Sequence, residues 1–429
     1  MNPWLRVPYA IAGGAAEWIS AVTTTTRPSK LARTLAARRH LLPQYEQWGA
    51  THRDMTRPLL WIHASSVGEG LMALPLVQRI RREMPAVQIA YTFFSPSGES
   101  LIPRMHADFT AYLPFDTTRA AECTLNALRP TALVFSKLDV WPILVERAHQ
   151  RGIRLGLISA SMPARSWRRG IGATLTHHAY GAIDGIGAVS ETDARHLIEA
   201  GALASHVLVT GDTRYDQARE RAHTKNEHDT LIDSLRGNRL TVVAGSTWAT
   251  DEARLLPAWE RVISRVPGAR LVIAPHEIHD THIRNIESWA RLTGMRCAHI
   301  GSTEAPVADV IVIDRIGVLA DLYTIADLAY VGGGFHAAGL HSVVEPAVYG
   351  APVIIGPRHH DSRDARLLLD AGGAASAEDT TTLADLIQRL LVSPADRQHM
   401  ATALQSVVSR ELGATTRSFG IIRELLRTV

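Results

Sequence analysis

The chain has only two cysteines in 429 residues, Cys123 and Cys297, and they stand far apart. That excludes a disulfide framework and a cysteine-based metal motif, and a reducing compartment is the expectation. No run reaches the roughly 18–20 apolar residues of a membrane span. The nearest, "WLRVPYAIAGGAAEWISAV", is broken by Arg6, Pro8, two glycines and Glu17. It has no cleavage site behind a basic start, so no signal peptide is expected. The Walker pattern G-x-x-x-x-G-K-[ST] and the G-x-G-x-x-G fingerprint are both missing. A P-loop enzyme and a nicotinamide enzyme therefore have little support. Tandem repeats and low-complexity tracts are lacking as well.

What is present is a recurrence of short apolar runs bounded by Gly, Pro or Ser. In the first half these are 59–65, 87–94, 132–136, 154–161, 185–190 and 206–212. In the second they are 240–247, 269–276, 310–314, 328–334 and 351–357. Most are continuously apolar, the pattern of strands buried on both faces in a parallel sheet. The gaps leave room for a helix after most strands, which gives βαβ repeats. The length suits two domains of roughly 200 residues each. The polar stretch 216–239 reads as the linker between an N-terminal domain, 1–215, and a C-terminal domain, 240–429, that ends in helices. The fold class is α/β, with two doubly wound domains facing each other across a cleft.

The formal net charge of +3 is small but unevenly placed. Between Arg27 and Arg57 stand seven basic residues (Arg27, Lys30, Arg33, Arg38, Arg39, Arg53, Arg57) and two acids, Glu46 and Asp54. Such a patch suits an acidic partner or substrate, or it is a solvated helix face. Nearby, Trp4, Tyr9 and Trp18 suit either an interfacial membrane helix or a helix packed on the domain.

Ligands of open parallel sheets bind beyond the carboxyl ends of the strands. "HASSVGEG" (63–70) places small residues there and Glu69 at a helix start, where it is either a functional acid or a partner of the helix dipole. "AGSTWATDE" (244–252) offers Gly245, Ser246 and Thr247 as a phosphate cradle. In "APHEIHDTH" (274–282), His276, His279 and His282 recur every three residues and drift across a helix face. That makes a poor metal site, and no metal is expected; His276, next to a strand, is the better ligand contact. In "YVGGGFHAAGLHSVVEPAVYGAPVIIGP" (330–357), Gly332, Gly333 and Gly334 permit unusual φ or a backbone contact with a ligand. Glu345 is either a surface acid or an acceptor for ribose hydroxyls.

These pieces, with "TFFSPSG", "YLPFDT", "KLDVWP", "SASMPARS", "VTGDTRYD" and "VIVIDRIGVLADLY", resemble the Kdo transferase family in order and spacing, from about Trp61 to Gly373. That family has the GT-B fold and adds 3-deoxy-D-manno-octulosonic acid (Kdo) from CMP-Kdo to a lipid A precursor. The resemblance implies donor binding in the second domain by Pro275 and His276, by Gly317, Val318 and Leu319, and by Ser342, Val343, Val344 and Glu345. Gly333 and Gly334 join them, and Glu345 would take the ribose. Ser342 stands where the family usually has Asn. Arg214 falls where the family places a cation that steadies the departing phosphate. The implied partners are CMP-Kdo, a lipid A precursor and the cytoplasmic face of the inner membrane, held peripherally, with no cofactor and no nucleic acid. The basic segment, through Arg27, Lys30, Arg33, Arg38 or Arg39, would meet acceptor phosphates.

Two departures stand out. The family's general base is a Glu before the first strand, where this chain reads "TLAARRHLL", with Ala36 and Ala37. In "SKLDVWP", Lys137 and Asp139 replace two glutamates common in the family. Glu69 and Asp139 are the remaining candidates for the base, with Glu46 a weaker third. A nucleotide-sugar-binding relative that has lost its base, or another GT-B activity such as an epimerase, are the alternative readings.

Overall fold

The computed structural model describes residues 9, 11, 13–15, 30–163, 172–224 and 229–427. Trp4, Trp18 and Arg27 lie outside the described residues, as does the side chain of Lys30. The chain divides into two compact units, Met1–Gln217 with Leu412–Val429, and Ala218–Glu411.

The first unit holds β1 (Leu59–His63), β2 (Gln88–Phe93), β3 (Phe109–Tyr112), β4 (Ala132–Ser136), β5 (Arg154–Ala160), β6 (Gly185–Ala188) and β7 (Val207–Val209). They form a seven-stranded sheet in the order β3-β2-β1-β4-β5-β6-β7, every pairing parallel. β1, β2 and β4 are buried along their whole length, so both faces carry apolar side chains and the sequence shows no alternation. The order reverses between β1 and β4. The carboxyl ends of those strands are the topological switch point, where doubly wound folds bind ligands.

The second unit holds β8 (Thr241–Thr247), β9 (Arg270–Pro275), β10 (Cys297–His299), β11 (Val310–Val312), β12 (Leu328–Val331), β13 (Val353–Ile355) and β14 (Ala374–Ser376). Its sheet, also seven-stranded, runs β10-β11-β9-β8-β12-β13-β14 and is parallel throughout. Its switch point lies between β8 and β12.

Eleven of these strands answer to the apolar runs of the sequence. The other three, β3, β10 and β14, are three of the four sheet edges; the fourth, β7, answers to the run 206–212. An edge strand pairs on one side only and is short, four residues in β3 and three in β10 and β14. It needs no continuous apolar run, so the signal used for the central strands is missing there.

The sequence boundaries need correction at both ends of the second domain. Within 216–239 the chain carries the end of the helix Thr213–His223 and a helix Asp229–Asp233, and Ile232 and Leu235 are buried in the second unit. The terminal helices do not stay together. Pro394–Glu411 buries Leu404, Val407 and Val408 in the second unit, whereas Ala414–Leu426 belongs to the first. Gly413, at φ 87°, turns the chain between them. Phe419, Ile421, Ile422, Leu425 and Leu426 enter the core of the first unit. They lie against Gly156 on β5 and Gly185 on β6, where a Cβ would come within 2.6 Å of Leu425 and 2.7 Å of Ile421. Glycine inside a strand here marks the close approach of another element.

Edge strand β10 is fastened by His299. Its Nδ1 lies 2.9 Å from Asp314 and its Nε2 2.7 Å from Glu287 on the helix Asp280–Leu292. The hydrogen bonds to Glu287 and then to Asp314 raise its pKa above the ordinary 6.5. A raised folded-state pKa stabilises the protein fully below the unfolded value and loses that stabilisation as pH climbs through the folded value. His299→Gln is therefore expected to lower the melting temperature at about pH 6 and to have a smaller effect at about pH 9. Thermal melts of both proteins across this range check it; a pH-independent difference would remove the imidazolium from the account.

Candidate active site

At the switch point of the first unit, side chains from the ends of β1 and β2 and from the segments that follow β1 and β4 come together. His63, at the end of β1, is fully buried. Its Nδ1 lies 3.0 Å from Thr92 Oγ1, and its Nε2 accepts from the Trp141 indole N–H at 3.2 Å. The same N–H reaches Asp139 Oδ2 at 3.2 Å, and this carboxylate oxygen lies 3.6 Å from His63 Nε2. Asp139 retains 30% side-chain exposure, so a buried ring and an indole hold a carboxylate whose outer side meets solvent. Beside it, Glu69 opens the helix Val67–Glu83 and accepts from Ser66 Oγ. Its other oxygen lies 3.4 Å from Lys137 Nζ. Lys137 adopts φ 67°, which turns the chain directly after β4.

The segment 113–116 lies beside Trp141. Asp116 accepts from the backbone N–H groups of Ile143 and Leu144, which start the helix Pro142–Gln150, and from the Tyr9 hydroxyl. Burial raises its pKa to about 6 in spite of these three donors. Tyr9 thus contacts the protein through its hydroxyl.

Arg38 departs from expectation. It is 8% exposed, donates to the carbonyls of Thr34, Phe94 and Leu113, and lies 3.8 Å above the Phe94 ring. Burial lowers its pKa to about 10. An arginine spent on backbone carbonyls and an aromatic face cannot meet an acceptor phosphate. Arg53 and Arg57 likewise bond backbone carbonyls. Of the segment's basic residues, Arg33 is exposed and Arg39 half-buried. Glu46 accepts from the Cys123 thiol at 3.2 Å and is not among the residues gathered at the switch point.

Arg214 sits after β7, with its guanidinium on Asp212 Oδ2 at 2.6 and 2.9 Å. Thr213 anchors this loop to the helix Val67–Glu83 by donating to the Met72 carbonyl at 2.6 Å.

In the second unit the organising residue is Asp251, on the first turn of the helix Ala249–Arg265 and fully buried. It accepts from the Tyr330 hydroxyl and from the backbone N–H groups of Trp248, Gly333 and Phe335. The carboxylate ties the carboxyl end of β8 to that of β12. Packing accounts for the glycines. A Cβ on Gly332 would lie 2.2 Å from the Ser246 carbonyl oxygen, and one on Gly334 would lie 2.4 Å from the Gly356 nitrogen. Gly333, at φ 90°, meets the Gly339 carbonyl in the same way.

Around this junction stand Trp248, His276, His336 and His341. Trp248 stacks on His336 with ring centroids 4.1 Å apart and planes 6° from parallel. His276 lies 4.6 Å from Trp248 and 4.3 Å from His341. Among the described residues, no group of three or more His, Cys, Asp or Glu is arranged to hold a metal ion. His282 is drawn away to Glu252, 2.6 Å distant.

The remaining donor candidates form a second group. Arg221 donates to the Gly317 carbonyl at 2.7 Å and grips Asp321 through both nitrogens, which fixes the loop of exposed Gly317, buried Val318 and half-buried Leu319. Burial pushes the Arg221 guanidinium down, but Asp321 and, further off, Glu345 hold it above the ordinary arginine value. Glu345 lies on the helix Val344–Val348, half-buried, behind exposed Ser342 and buried Val343 and Val344. Its charge also reaches Tyr323, whose hydroxyl burial has already pushed far up. Pro275 ends β9 in the core, and the His276 backbone N–H bonds to the Thr247 carbonyl.

Two doubly wound parallel sheets, each with polar side chains gathered at its switch point, define an enzyme of the GT-B architecture. UDP-GlcNAc 2-epimerase from Neisseria meningitidis has a similar fold, with a TM-score of 0.63 over 86% of this chain and 99% of that one at 14% identity. Sequence similarity is more specific. The 3-deoxy-D-manno-octulosonic-acid transferase (kdotransferase) family matches residues 31–217. The 3-deoxy-D-manno-octulosonic acid transferase of Bordetella pertussis is 29% identical over 86% of this chain and 87% of its own. That of Haemophilus influenzae is 26% identical over the same shares. The chain is thus similar to Kdo transferases over most of its length, and its first unit matches that family.

Proposed function

We propose that the chain transfers Kdo from CMP-Kdo to a lipid A precursor in lipopolysaccharide core synthesis, with no metal or further cofactor. In this scheme the second unit binds the donor and the first binds the acceptor, peripherally at the cytoplasmic face of the inner membrane. No described helix is long and apolar enough to cross a membrane. The observation that supports the reading is that Glu69 and Asp139 follow β1 and β4 at the switch point of the first sheet, while His276 and Gly332 to Gly334 directly follow β9 and β12 in the second.

Asp139 is the base of this scheme. It takes the proton of the acceptor hydroxyl, whose oxygen attacks the anomeric carbon of Kdo while the bond to the CMP phosphate breaks. Glu69 is occupied by Lys137 and Ser66 and is less available for a proton. Arg214, fixed by Asp212, balances the charge on departing CMP. Glu345 takes the ribose hydroxyls, and the loop 317–319 presents its backbone to the nucleotide.

Incubation with CMP-Kdo and tetraacylated lipid A precursor, followed by mass analysis, is expected to show a glycolipid heavier by one or more Kdo residues. An unchanged lipid, with CMP still protecting the protein against heat, would leave a binding protein and not a transferase.

A further inference from the structure

Deepening the donor reading above, on which it rests, we infer that His336 and His341, arranged around Trp248, seat the phosphate of the bound nucleotide as neutral N–H donors. The tautomers follow from the bonds each ring accepts. The Trp248 indole N–H donates to His341 Nε2 at 2.9 Å, so the ring hydrogen of His341 sits on Nδ1. The Ala338 backbone N–H donates to His336 Nδ1 at 3.1 Å, so that of His336 sits on Nε2. Each imidazole therefore has one nitrogen occupied by a protein donor and one N–H left for a ligand.

The groups facing this pair come from two places. His276 approaches from β9 and Asp251 from the helix Ala249–Arg265; Glu252 on that helix is turned to Thr247 and His282. Burial, then His276, lowers the His341 pKa to about 4, with Asp251 opposing and His336 assisting. His341 is uncharged at neutral pH and remains a hydrogen-bond donor. Asp251 is spent on its four donors and leaves no free acceptor lobe turned to the seat.

The ligand class is an anion with tetrahedral oxygens. The seat lies at the carboxyl ends of β8 and β12, where doubly wound folds place phosphates. His341 also lies four residues before Glu345, the proposed ribose ligand. Neutral donors bind a phosphate diester without the desolvation cost of a buried cation and release it without a strong ion pair to break.

The test is calorimetric binding of CMP and cytidine to the full chain. His336→Ala and His341→Ala are each expected to weaken CMP about tenfold and to leave cytidine unchanged. His336→Gln, whose amide N–H stands near the imidazole Nε2 position, is expected to recover CMP binding to within about threefold of the unmodified protein. Unchanged CMP binding in both alanine variants overturns the inference alone. Equal losses for CMP and cytidine also overturn it, because the rings would then serve the nucleoside or the fold. Failure of the unmodified chain to bind CMP would sink the donor reading and this inference with it.

Discussion

Asp139→Asn is expected to lower the turnover of Kdo transfer by about 10²–10⁴-fold, with the KM for CMP-Kdo little changed. Asparagine keeps the shape of the side chain and can still accept from the Trp141 indole. What it loses is the ability to take a proton. The neighbours of Asp139 do not replace it: His63 is fully buried and already bonded at both ring nitrogens. Glu69→Gln should cost less, because Glu69 is engaged by Lys137 and Ser66. Steady-state kinetics on the two variants decides the assignment. A larger loss in Glu69→Gln than in Asp139→Asn would move the base to Glu69.

Asp251→Ala is expected to destabilise the second unit by roughly 4 kcal/mol or more. Three backbone N–H groups and one hydroxyl lose their acceptor, and a buried donor left unpaired costs about 1–3 kcal/mol. A carboxylate that accepts several bonds contributes more than a neutral acceptor would, about 1.5–3 kcal/mol per bond. Urea unfolding of both proteins measures the difference. A loss under about 1 kcal/mol would show that the glycine loop holds its shape without the carboxylate. CMP binding should fall in parallel, since His336 and His341 stand on that loop.

The central strands could be read from the sequence because burial on both faces forces unbroken apolar runs. Of the four edges, β7 showed such a run, whereas β3, β10 and β14 did not, since one-sided pairing does not demand one. Switch-point residues were legible as strand-end motifs: Glu69, Asp139, His276 and the glycines all fall at or beside the carboxyl ends of strands. Their causes were less so. Gly332 and Gly334 look like ligand-contact glycines in sequence, yet backbone-to-backbone contacts explain them. Arg38 looks like surface charge, since nothing local tells that Phe94 and the Leu113 carbonyl will enclose it. His63 and Asp251 escaped notice for a related reason. Each works through partners brought in by distant segments, Trp141 for one and Tyr330 with the glycine loop for the other. The one local hint for Asp251 was its place at the third position of a helix that starts just after a strand, with one residue between them.

The last helix, Ala414–Leu426, carries a consequence for how this protein is made. The residues that fill the groove over Gly156 and Gly185 are translated only after the whole of Ala218–Glu411. A ribosome-bound chain therefore holds a second unit that is complete in sequence while the first still exposes the apolar faces of β5 and β6. Until residues 419–426 emerge, that exposed surface is a target for chaperones, and it is where aggregation would begin if synthesis stalled.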